Sequence, residues 1–344
     1  QGRAQCQNRN LCVRGCPLGG YFSSNASTLP WAAKTGNMTL RPDSIVHSII
    51  YDEKKGQAKG VRVVDAHTNE MIEYYAKVIF VNAGALNSNL ILLNSTSSRF
   101  PNGIGNDSGT LGKYIIWHNY RGRISAKSDQ FLDMRTKGKN PNHCYIPRFR
   151  NVHKQETDFL RGYAVGVGAG RGFKADTTAI GEELKNNLLH PPLGEWNISG
   201  WMMGEVIPRE NNHVRLHESL KDPNGMPQLV ISTEWSENED KMSADFIEQL
   251  SEMFAEAGFK DVYAHDSHAN PGNDIHEMGG VRMGNDPKNS MLNKWNQLHA
   301  CKNVFVTDGA CMTSGSTQNP SLTYMAITAR AANYAVEEMK KRNL

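Results

Sequence analysis

The chain has 344 residues, 39% of them hydrophobic and 21% charged, which is enough for one large domain or two interlocked ones. Lys and Arg total 38 against 35 for Asp and Glu, so the net charge of +3 excludes the strongly basic surface of a nucleic-acid-binding protein. No stretch reaches the roughly 18 apolar residues that a membrane-spanning helix needs, and six cysteines are too few for a disulfide scaffold.

Strands are predicted over 38–52, 60–65 and 75–81, after a Cys- and Gly-rich start that is expected to form a loop. The apolar run 78–81 is typical of a strand buried on both faces. A glycine-containing turn over 82–85 and a helix over 86–93 follow. Strand, turn and helix in this order place a helix N-terminus where it can bind an anionic group.

The middle of the chain, 121–204, is predicted as polar, glycine-bearing β structure. Its run 165–170 is interpreted as a glycine-rich strand or loop, because Arg171 stands where a dinucleotide-binding motif requires glycine. A hairpin is predicted over 215–234, with its turn at 222–225. A helix follows and ends at Gly258, with apolar residues at helical spacing: Met242, Phe246, Leu250, Met253, Phe254 and Ala257.

The end of the chain is predicted to return to the order of strand, turn and helix. The strand covers 303–307, the turn covers 308–310, and an amphipathic helix covers 322–341. Pro320 suits the first turn of that helix because its missing N–H would have no helical partner there.

Three cysteines near the start of the chain have a spacing typical of a soft-metal site. Cys6, Cys12 and Cys16 form C-x5-C-x3-C, and Pro17 follows directly, as in iron–sulfur loops. A structural zinc would compete with a cluster, but it needs a fourth ligand, and the nearest His is His47. The same spacing also allows a disulfide, which would leave one thiol unpaired, or three free buried thiols.

His276 and Asn319 are the candidate acid–base residues. His276 opens a glycine-rich segment, 276–284, and Asn319 stands just before the final helix. A His and an amide beside a developing alkoxide form an acid–base and hydrogen-bonding pair for alcohol oxidation. These residues alone leave open a purely structural His276.

Four stretches together resemble the glucose–methanol–choline (GMC) family of flavin oxidoreductases over essentially the whole chain. Residues 81–88 are similar to the family's strand–A-G-A-x-x-S–helix signature, and 111–118 are similar to the segment that leaves for the substrate domain. Residues 276–284 resemble H-x-x-G-T-x-R-M-G, and 306–309 with 319–323 resemble the closing flavin-contact motifs. His276 and Asn319 are 43 positions apart, which is close to the family's spacing for its catalytic pair.

The resemblance implies an α/β fold of the α+β type, with an incomplete Rossmann-like FAD-binding domain and a mixed-sheet substrate-binding domain. The FAD-binding domain would cover 1–119, with the Cys loop at 6–17, and again 271–344; the substrate-binding domain would cover 120–270. His276 and Asn319 would be catalytic. The residues implied to contact FAD are Val46, Ala83, Gly84, Asn87, Asp308, Gly309, Asn319, Pro320 and Ser321.

The Cys loop is similar to that of bacterial FAD-dependent glucose, gluconate and glucoside dehydrogenase catalytic subunits. This resemblance implies a three-iron, four-sulfur cluster on Cys6, Cys12 and Cys16 that relays electrons from the flavin. It also implies a small subunit and a cytochrome c electron acceptor as partners, and a periplasmic or inner-membrane-associated location. The remaining three cysteines are expected only to pack: Cys144, Cys301 and Cys311.

The chain departs from the family pattern in two places. Gly280 stands where the family usually has Thr. The family's first glycine motif, G-x-G-x-x-G, is found nowhere in this chain, and only five residues precede Cys6. The chain, which starts at Gln1, is therefore expected to be the C-terminal part of a longer enzyme and to lack flavin and activity by itself.

The predicted function is FAD-dependent oxidation of a CH–OH group in a sugar or polyol, with hydride passing to the flavin and electrons leaving through the cluster. An oxidase of the same fold, which passes electrons to oxygen without a cluster, would fit the same motifs. So would a non-catalytic remnant that kept the fold and lost the cofactor.

Overall fold

The computed structural model describes residues 3–7, 12, 15–134, 144–173, 176, 178–190, 193–273 and 275–344. Within them the fold is mixed α/β, with four sheets and their covering helices, which confirms the predicted fold class. The predicted N-terminal loop lies partly outside the described residues. Its described part contains one short helix, α1 (Thr28–Lys34).

The first sheet is a three-stranded antiparallel meander in the order β1-β2-β3. Tight turns connect its strands; the Asp52 carboxylate, for example, accepts the backbone N–H groups of Lys54 and Lys55. The prediction of one strand over 75–81 was wrong in its bounds, because one strand ends at 75 and the next begins at 79. The strands are β1 (Ser44–Asp52), β2 (Gln57–Asp65) and β3 (Met71–Tyr75).

Two short parallel strands join the beginning and the end of the chain. These are β4 (Ile79–Val81) and β15 (Val304–Val306), and their buried side chains belong to a core that also includes Leu92 and Leu298. Each strand leads into a helix at the same edge: α2 (Ala85–Leu93) follows β4, and α5 (Ser321–Lys340) follows β15 after a short 3-10 helix, Gly309–Cys311. The predicted strand–turn–helix order is confirmed at both places.

The largest sheet is antiparallel in the order β13-β7-β10-β9-β8, with β6 added to β10. The glycine-rich run 165–170 lies in β9, as predicted; a Cβ atom on Gly166 would lie 2.5 Å from the Trp201 ring. Helix α4 (Glu237–Glu256) covers this sheet with Met242, Phe246 and Leu250. The strands are β6 (His118–Asn119), β7 (Gly122–Ser128), β8 (Cys144–Ile146), β9 (Tyr163–Phe173), β10 (Leu193–Glu205) and β13 (Lys260–Asp266), with α3 (Glu182–Leu189) before β10.

A four-stranded antiparallel sheet lies in the order β12-β11-β5-β14. The hairpin predicted over 215–234 forms its outer half, and Gly225 in the hairpin turn adopts φ +81°. The inner half pairs β5 with β14, the strand that immediately follows His276 and Glu277. The strands are β5 (Lys113–Ile116), β11 (His213–Lys221), β12 (Pro227–Ser232) and β14 (Met278–Gly280).

The cysteines outside the N-terminal loop differ in burial. Cys301 and Cys311 are buried and pack in the core as expected, but Cys144 is exposed on β8, so the prediction that it only packs was wrong. Within the described part of the chain, no helix is long and apolar enough to cross a membrane. The division into domains at 119 and 270 stays a prediction.

Candidate active site

The carboxyl ends of β4 and β15 are tied together by the Asp308 side chain. The Ser88 hydroxyl donates to Asp308 Oδ2 at 2.5 Å, and the Ala310 N–H donates to Asp308 Oδ1 at 3.0 Å. Ser88 Oγ in turn accepts the Ala83 N–H at 3.0 Å. Burial raises the pKa of Asp308, while the hydrogen bonds from Ser88, Ala310 and Gly84 oppose that rise.

A second set of hydrogen bonds joins the same two strand ends to α5. Asn82 Oδ1 accepts both the backbone N–H and the hydroxyl of Thr307, at 3.0 and 2.9 Å. Thr328 on α5 donates its hydroxyl to the Thr307 hydroxyl at 2.8 Å. The turn after β4, the turn after β15 and the first turns of α5 are therefore fixed relative to one another.

The residues predicted to contact FAD surround this edge. Ala83, Gly84 and Asn87 are exposed at the N-terminus of α2, where Gly84 has φ +83° and a Cβ atom there would have no neighbour within 4 Å. Val46 lies farther along and lines, with Ala83, an apolar cavity of about 470 Å³ beside β4. Asp308 and Gly309 lie at the end of β15, and Asn319, Pro320 and Ser321 lie at the start of α5.

Neither α2 nor α5 has a side-chain hydrogen bond at its N-cap among the described residues. The first N–H groups of a helix need acceptors from outside the helix, and they carry a partial positive charge. The N-terminus of α2 lies directly after the carboxyl end of β4. Helix α5 contacts the same edge through Thr328, and Asn319 at its start lies against His276. This arrangement is typical of a binding site for an anionic cofactor.

The segment 276–280 has positive φ angles at three residues and packs closely against this edge. His276 adopts φ +68°, a strained conformation for a residue with a side chain. A Cβ atom on Gly279 would lie 2.2 Å from the Tyr114 carbonyl oxygen, and one on Gly309 would lie 2.6 Å from the Glu277 carbonyl oxygen. Glycine at these two positions lets the segment approach both β5 and the turn after β15.

Folding brings the two predicted catalytic residues into contact. His276 Nε2 lies 3.4 Å from Asn319 Nδ2. On its other side, His276 Nδ1 lies 3.0 Å from His118 Nε2, with the two rings at 90° to each other. The Tyr145 hydroxyl donates to Asn319 Oδ1 at 2.9 Å. Four side chains from four parts of the chain thus form one continuous row.

The row runs from the core to the surface. His118 is fully buried, His276 is half-buried and Asn319 is exposed. Burial, followed by the charge of His276, lowers the pKa of His118 from 6.5 to about 4. Burial also lowers the pKa of His276, although Glu277 opposes that change. Both rings are therefore neutral at pH 7, and His276 can accept a proton on the side that faces Asn319.

The departure at Gly280 has a physical cause in Asn89 on α2. A Cβ atom on Gly280 would lie 2.2 Å from both amide atoms of Asn89, and Gly280 has φ +90°. Asn89 Nδ2 instead donates to the Gly279 carbonyl at 3.0 Å and to the Ala85 carbonyl at 2.8 Å. The Asn89 side chain therefore fills the space that a threonine at position 280 would need.

The three cysteines predicted to bind a cluster lie in the N-terminal loop and differ in exposure. Cys6 is exposed, and Cys12 and Cys16 are half-buried. Among the described residues, no group of three or more His, Cys, Asp or Glu side chains is arranged to hold a metal ion. The cluster on these cysteines therefore stays a prediction from the resemblance.

Two members of the row, His118 and Tyr145, were not predicted as site residues. In the sequence, His118 is only the last residue of the segment 111–118. The structure shows that it is buried and in hydrogen-bond contact with His276. Tyr145 carries no signal in the sequence, because nothing near it distinguishes it from other tyrosines. Only the fold places it against Asn319.

The fold and the site define an α/β protein with a ligand-binding edge at the carboxyl ends of parallel strands, next to a His–Asn pair. Two models of one protein family match this chain. The model of the N-terminal region of the GMC oxidoreductase family matches residues 2–118, and the model of the C-terminal region matches residues 208–328. The chain belongs to the GMC oxidoreductase family. The prediction of a C-terminal portion is not supported, because the match to the N-terminal region begins at residue 2.

Individual relatives agree with this assignment. The chain is similar to 2-methyl-1,2-propanediol dehydrogenase from Mycolicibacterium austroafricanum, with 30% identity over 94% of this chain and 58% of the relative. It is similar to the fructose dehydrogenase large subunit from Gluconobacter japonicus, with 25% identity over 99% of this chain and 61% of the relative. The chain thus spans about three fifths of the length of these relatives.

Solved structures show the same fold. Formate oxidase from Aspergillus oryzae superposes with a TM-score of 0.62, covering 89% of this chain and 62% of that one. The sequence identity is 13%, so this likeness concerns the fold alone.

Proposed function

We propose that this chain carries the catalytic pair and part of the cofactor site of an FAD-dependent oxidoreductase that oxidises a CH–OH group of a sugar or polyol. The observation that carries the proposal is the contact between His276 and Asn319 beside the two open helix N-termini. Family membership supports the reaction class. The names of the two relatives, a diol dehydrogenase and a fructose dehydrogenase subunit, support a polyol or sugar as substrate.

The residues at the edge fit a dinucleotide cofactor such as FAD. The exposed N–H groups at the starts of α2 and α5 suit its negatively charged phosphates. Gly84, with open space where a Cβ atom would be, allows a ligand to approach the backbone closely. The apolar cavity lined by Val46 and Ala83 suits an aromatic group. FAD, when bound, would supply the acceptor of the hydride.

In this proposal His276 acts as the base. Its Nε2 atom, which faces the exposed side of the row, takes the proton of the substrate hydroxyl. The lowered pKa of His276 keeps the ring neutral and ready for that proton at pH 7. Asn319 Nδ2 donates a hydrogen bond to the substrate oxygen and stabilises the negative charge that develops there.

The cluster on the cysteines stays a prediction from the resemblance, and no step of this proposal runs through it. Among the described residues no group of three or more His, Cys, Asp or Glu side chains is placed to hold a single metal ion. One feature favours metal binding: backbone N–H groups of Tyr21 and Leu18 face the Cys16 sulfur and lower the pKa of its thiol, which favours the thiolate. Iron and sulfide analysis of anaerobically purified protein tests the cluster, and absence of both contradicts it.

The proposal is tested by titrating FAD into the purified chain and following the flavin absorption band. FAD is added in excess so that binding is measured up to saturation. A panel of sugars, polyols and diols is then mixed anaerobically with the complex, and bleaching of the band reports reduction. We expect reduction by at least one of these alcohols. A chain that binds no FAD would favour the non-catalytic remnant.

The His276→Ala variant tests the catalytic pair. We expect FAD binding to persist while the rate of flavin reduction falls by about 10²- to 10⁴-fold, the usual contribution of a general base. His153→Ala is the matched control, since His153 is exposed. Unchanged reduction in His276→Ala would overturn the assignment. Peroxide formed in air without an added acceptor would favour an oxidase of the same fold.

A further inference from the structure

We propose that the buried His118 is a positioning residue that fixes His276 as its Nδ1–H tautomer, so that the Nε2 lone pair faces the substrate side. The inference deepens the proposed function, on which it rests. Its basis is the row of contacts from Tyr145 through Asn319 and His276 to His118. Each contact is a hydrogen bond with a donor and an acceptor. The chemistry of the side chains assigns every donor in the row, so that all the hydrogen bonds point from Tyr145 toward His118.

The direction begins at the Asn319 amide. The Tyr145 hydroxyl donates to Asn319 Oδ1 at 2.9 Å, which turns the amide nitrogen toward His276. An amide nitrogen can only donate. His276 Nε2, 3.4 Å away, must therefore carry the lone pair, and the proton of the neutral ring must be on Nδ1.

The direction continues to His118. With its proton on Nδ1, His276 donates to His118 Nε2 across 3.0 Å. His118 must then carry its own proton on Nδ1. The carbonyl groups of Gly204 and Ser316 lie near this ring and favour a protonated nitrogen, although neither makes a hydrogen bond of normal geometry to Nδ1 within the described part of the chain. The proton on His118 Nδ1 is therefore assigned from the contact with His276 and not from the backbone.

The burial of His118 makes it suited to this role. Full burial and the neighbouring His276 keep it neutral, and a neutral ring has one nitrogen that can accept. A protonated ring would donate from both nitrogens and would force the opposite tautomer on His276. A buried neutral histidine therefore serves as a fixed acceptor, as carbonyl or carboxylate groups do behind other catalytic histidines.

The test is the side-chain ¹⁵N NMR spectrum of the full chain labelled with ¹⁵N-histidine. It is recorded without flavin at about pH 8, above the ordinary histidine pKa of about 6.5. At this pH His118 and His276 are neutral, and Glu277 is the charged group that acts on His276. The His276→Asn variant assigns the His276 signal. We expect an Nδ1–H signal in the wild type; an Nε2–H signal there would overturn the proposal at once.

Two variants of His118 separate positioning from simple support of the structure. His118→Leu removes the acceptor, so the His276 signal should shift to Nε2–H or to a mixture of tautomers. His118→Gln keeps an acceptor at nearly the same reach, so the Nδ1–H signal should be restored. An unchanged tautomer in a folded His118→Leu protein would contradict the proposal. If that variant does not fold, loss of the Nδ1–H signal in a folded His118→Gln protein would contradict it as well.

Flavin reduction adds a second readout. We expect His118→Leu to slow reduction about tenfold or more, as when a group that orients an active-site histidine is removed, and His118→Gln to recover most of the rate. The NMR spectrum needs neither cofactor nor substrate. If the proposed oxidation is not observed, the tautomer result remains valid. If the tautomer is not the expected one, the evidence for the oxidation is unaffected.

Discussion

Two regions of the molecule satisfy their polar groups in different ways. The edge region comprises the carboxyl ends of β4 and β15 with the starts of α2 and α5. The sheet region comprises the sheet β13-β7-β10-β9-β8 with α4. In the sheet region, α4 begins with a reciprocal capping box between Ser236 and Glu239. In the edge region, the N-termini of α2 and α5 have no such side chain among the described residues.

The regions also differ in how they hold charge. The sheet region pairs its buried cation internally: the Arg121 guanidinium, 9% exposed, contacts both Asp266 and Asp240. The edge region instead leaves donors open toward solvent while burying the acid, Asp308, beneath them. This difference indicates that the polar groups of the sheet region are paired within the protein. The helix N–H groups of the edge region, in contrast, are open to acceptors from a ligand.

The largest effect on stability is expected in the sheet region. Arg121→Ala would leave Asp266, which is 13% exposed, without its cation, so the free energy of unfolding should fall by about 3 to 5 kcal/mol. Urea denaturation measures this change. Arg99→Ala is the matched control, because the exposed pair of Arg99 and Asp107 should contribute about 1 kcal/mol or less. Equal losses in the two variants would show that the sheet region does not depend on internal pairing.

His118, at the junction of the two regions, should make stability depend on pH. The pKa of this histidine is 6.5 in the unfolded chain and about 4 in the folded chain. The unfolded state therefore binds more protons in this window, and stability should fall as pH falls, by on the order of 3 kcal/mol from this residue. Urea midpoints of wild type and His118→Gln, compared between pH 6.5 and 4, isolate the effect. Parallel curves would contradict it.

The edge region should reject a side chain at position 280. Gly280→Thr would place a Cβ atom 2.2 Å from Asn89 at φ +90°, and we expect a loss of about 2 kcal/mol. The same substitution should cost less in an Asn89→Ala background, because the clash is then removed. Thermal unfolding of the four proteins measures this coupling. An equal cost in both backgrounds would assign the whole loss to backbone strain.

The smallest expected effect compares the helix starts directly. Ser236→Ala removes the contribution of the Ser236 hydroxyl to the capping box of α4 and should lower the free energy of unfolding by about 1 kcal/mol. Ser321→Ala, at the exposed first residue of α5, should change it by less than about 0.5 kcal/mol. Urea denaturation of both variants gives the comparison. A comparable loss in Ser321→Ala would mean that α5 is capped by its own side chains after all.

Local patterns predicted much of this architecture, and the reason is visible in particular elements. Helix α4 and the hairpin turn at 222–225 depend on residues close in sequence, so their signals are strong. The strand bounds near 75–79 were less exact because the break, 76–78, contains only one charged residue, Lys77, between Ala76 and Val78. The pair His276 and Asn319 was predicted from its side-chain chemistry and from motif resemblance, and the structure shows that the two side chains are in contact.

The rest of the site could not be predicted because it depends on contacts between distant parts of the chain. His118 contacts His276 across 158 residues, and Tyr145 contacts Asn319 across 174. No local sequence pattern predicts such a contact. Asn89, which occupies the space beside Gly280, is a similar case: only packing shows why glycine replaces threonine there.

The pairing of β4 with β15 has a consequence for how the protein folds. The hydrogen bond between Asn82 and Thr307 closes a loop of 225 residues, and the entropy of that closure must be overcome before the strands gain from pairing. The local hairpins and α4 can form without it. The edge that holds the candidate active site should therefore assemble late in folding, once most of the intervening chain has already found its place.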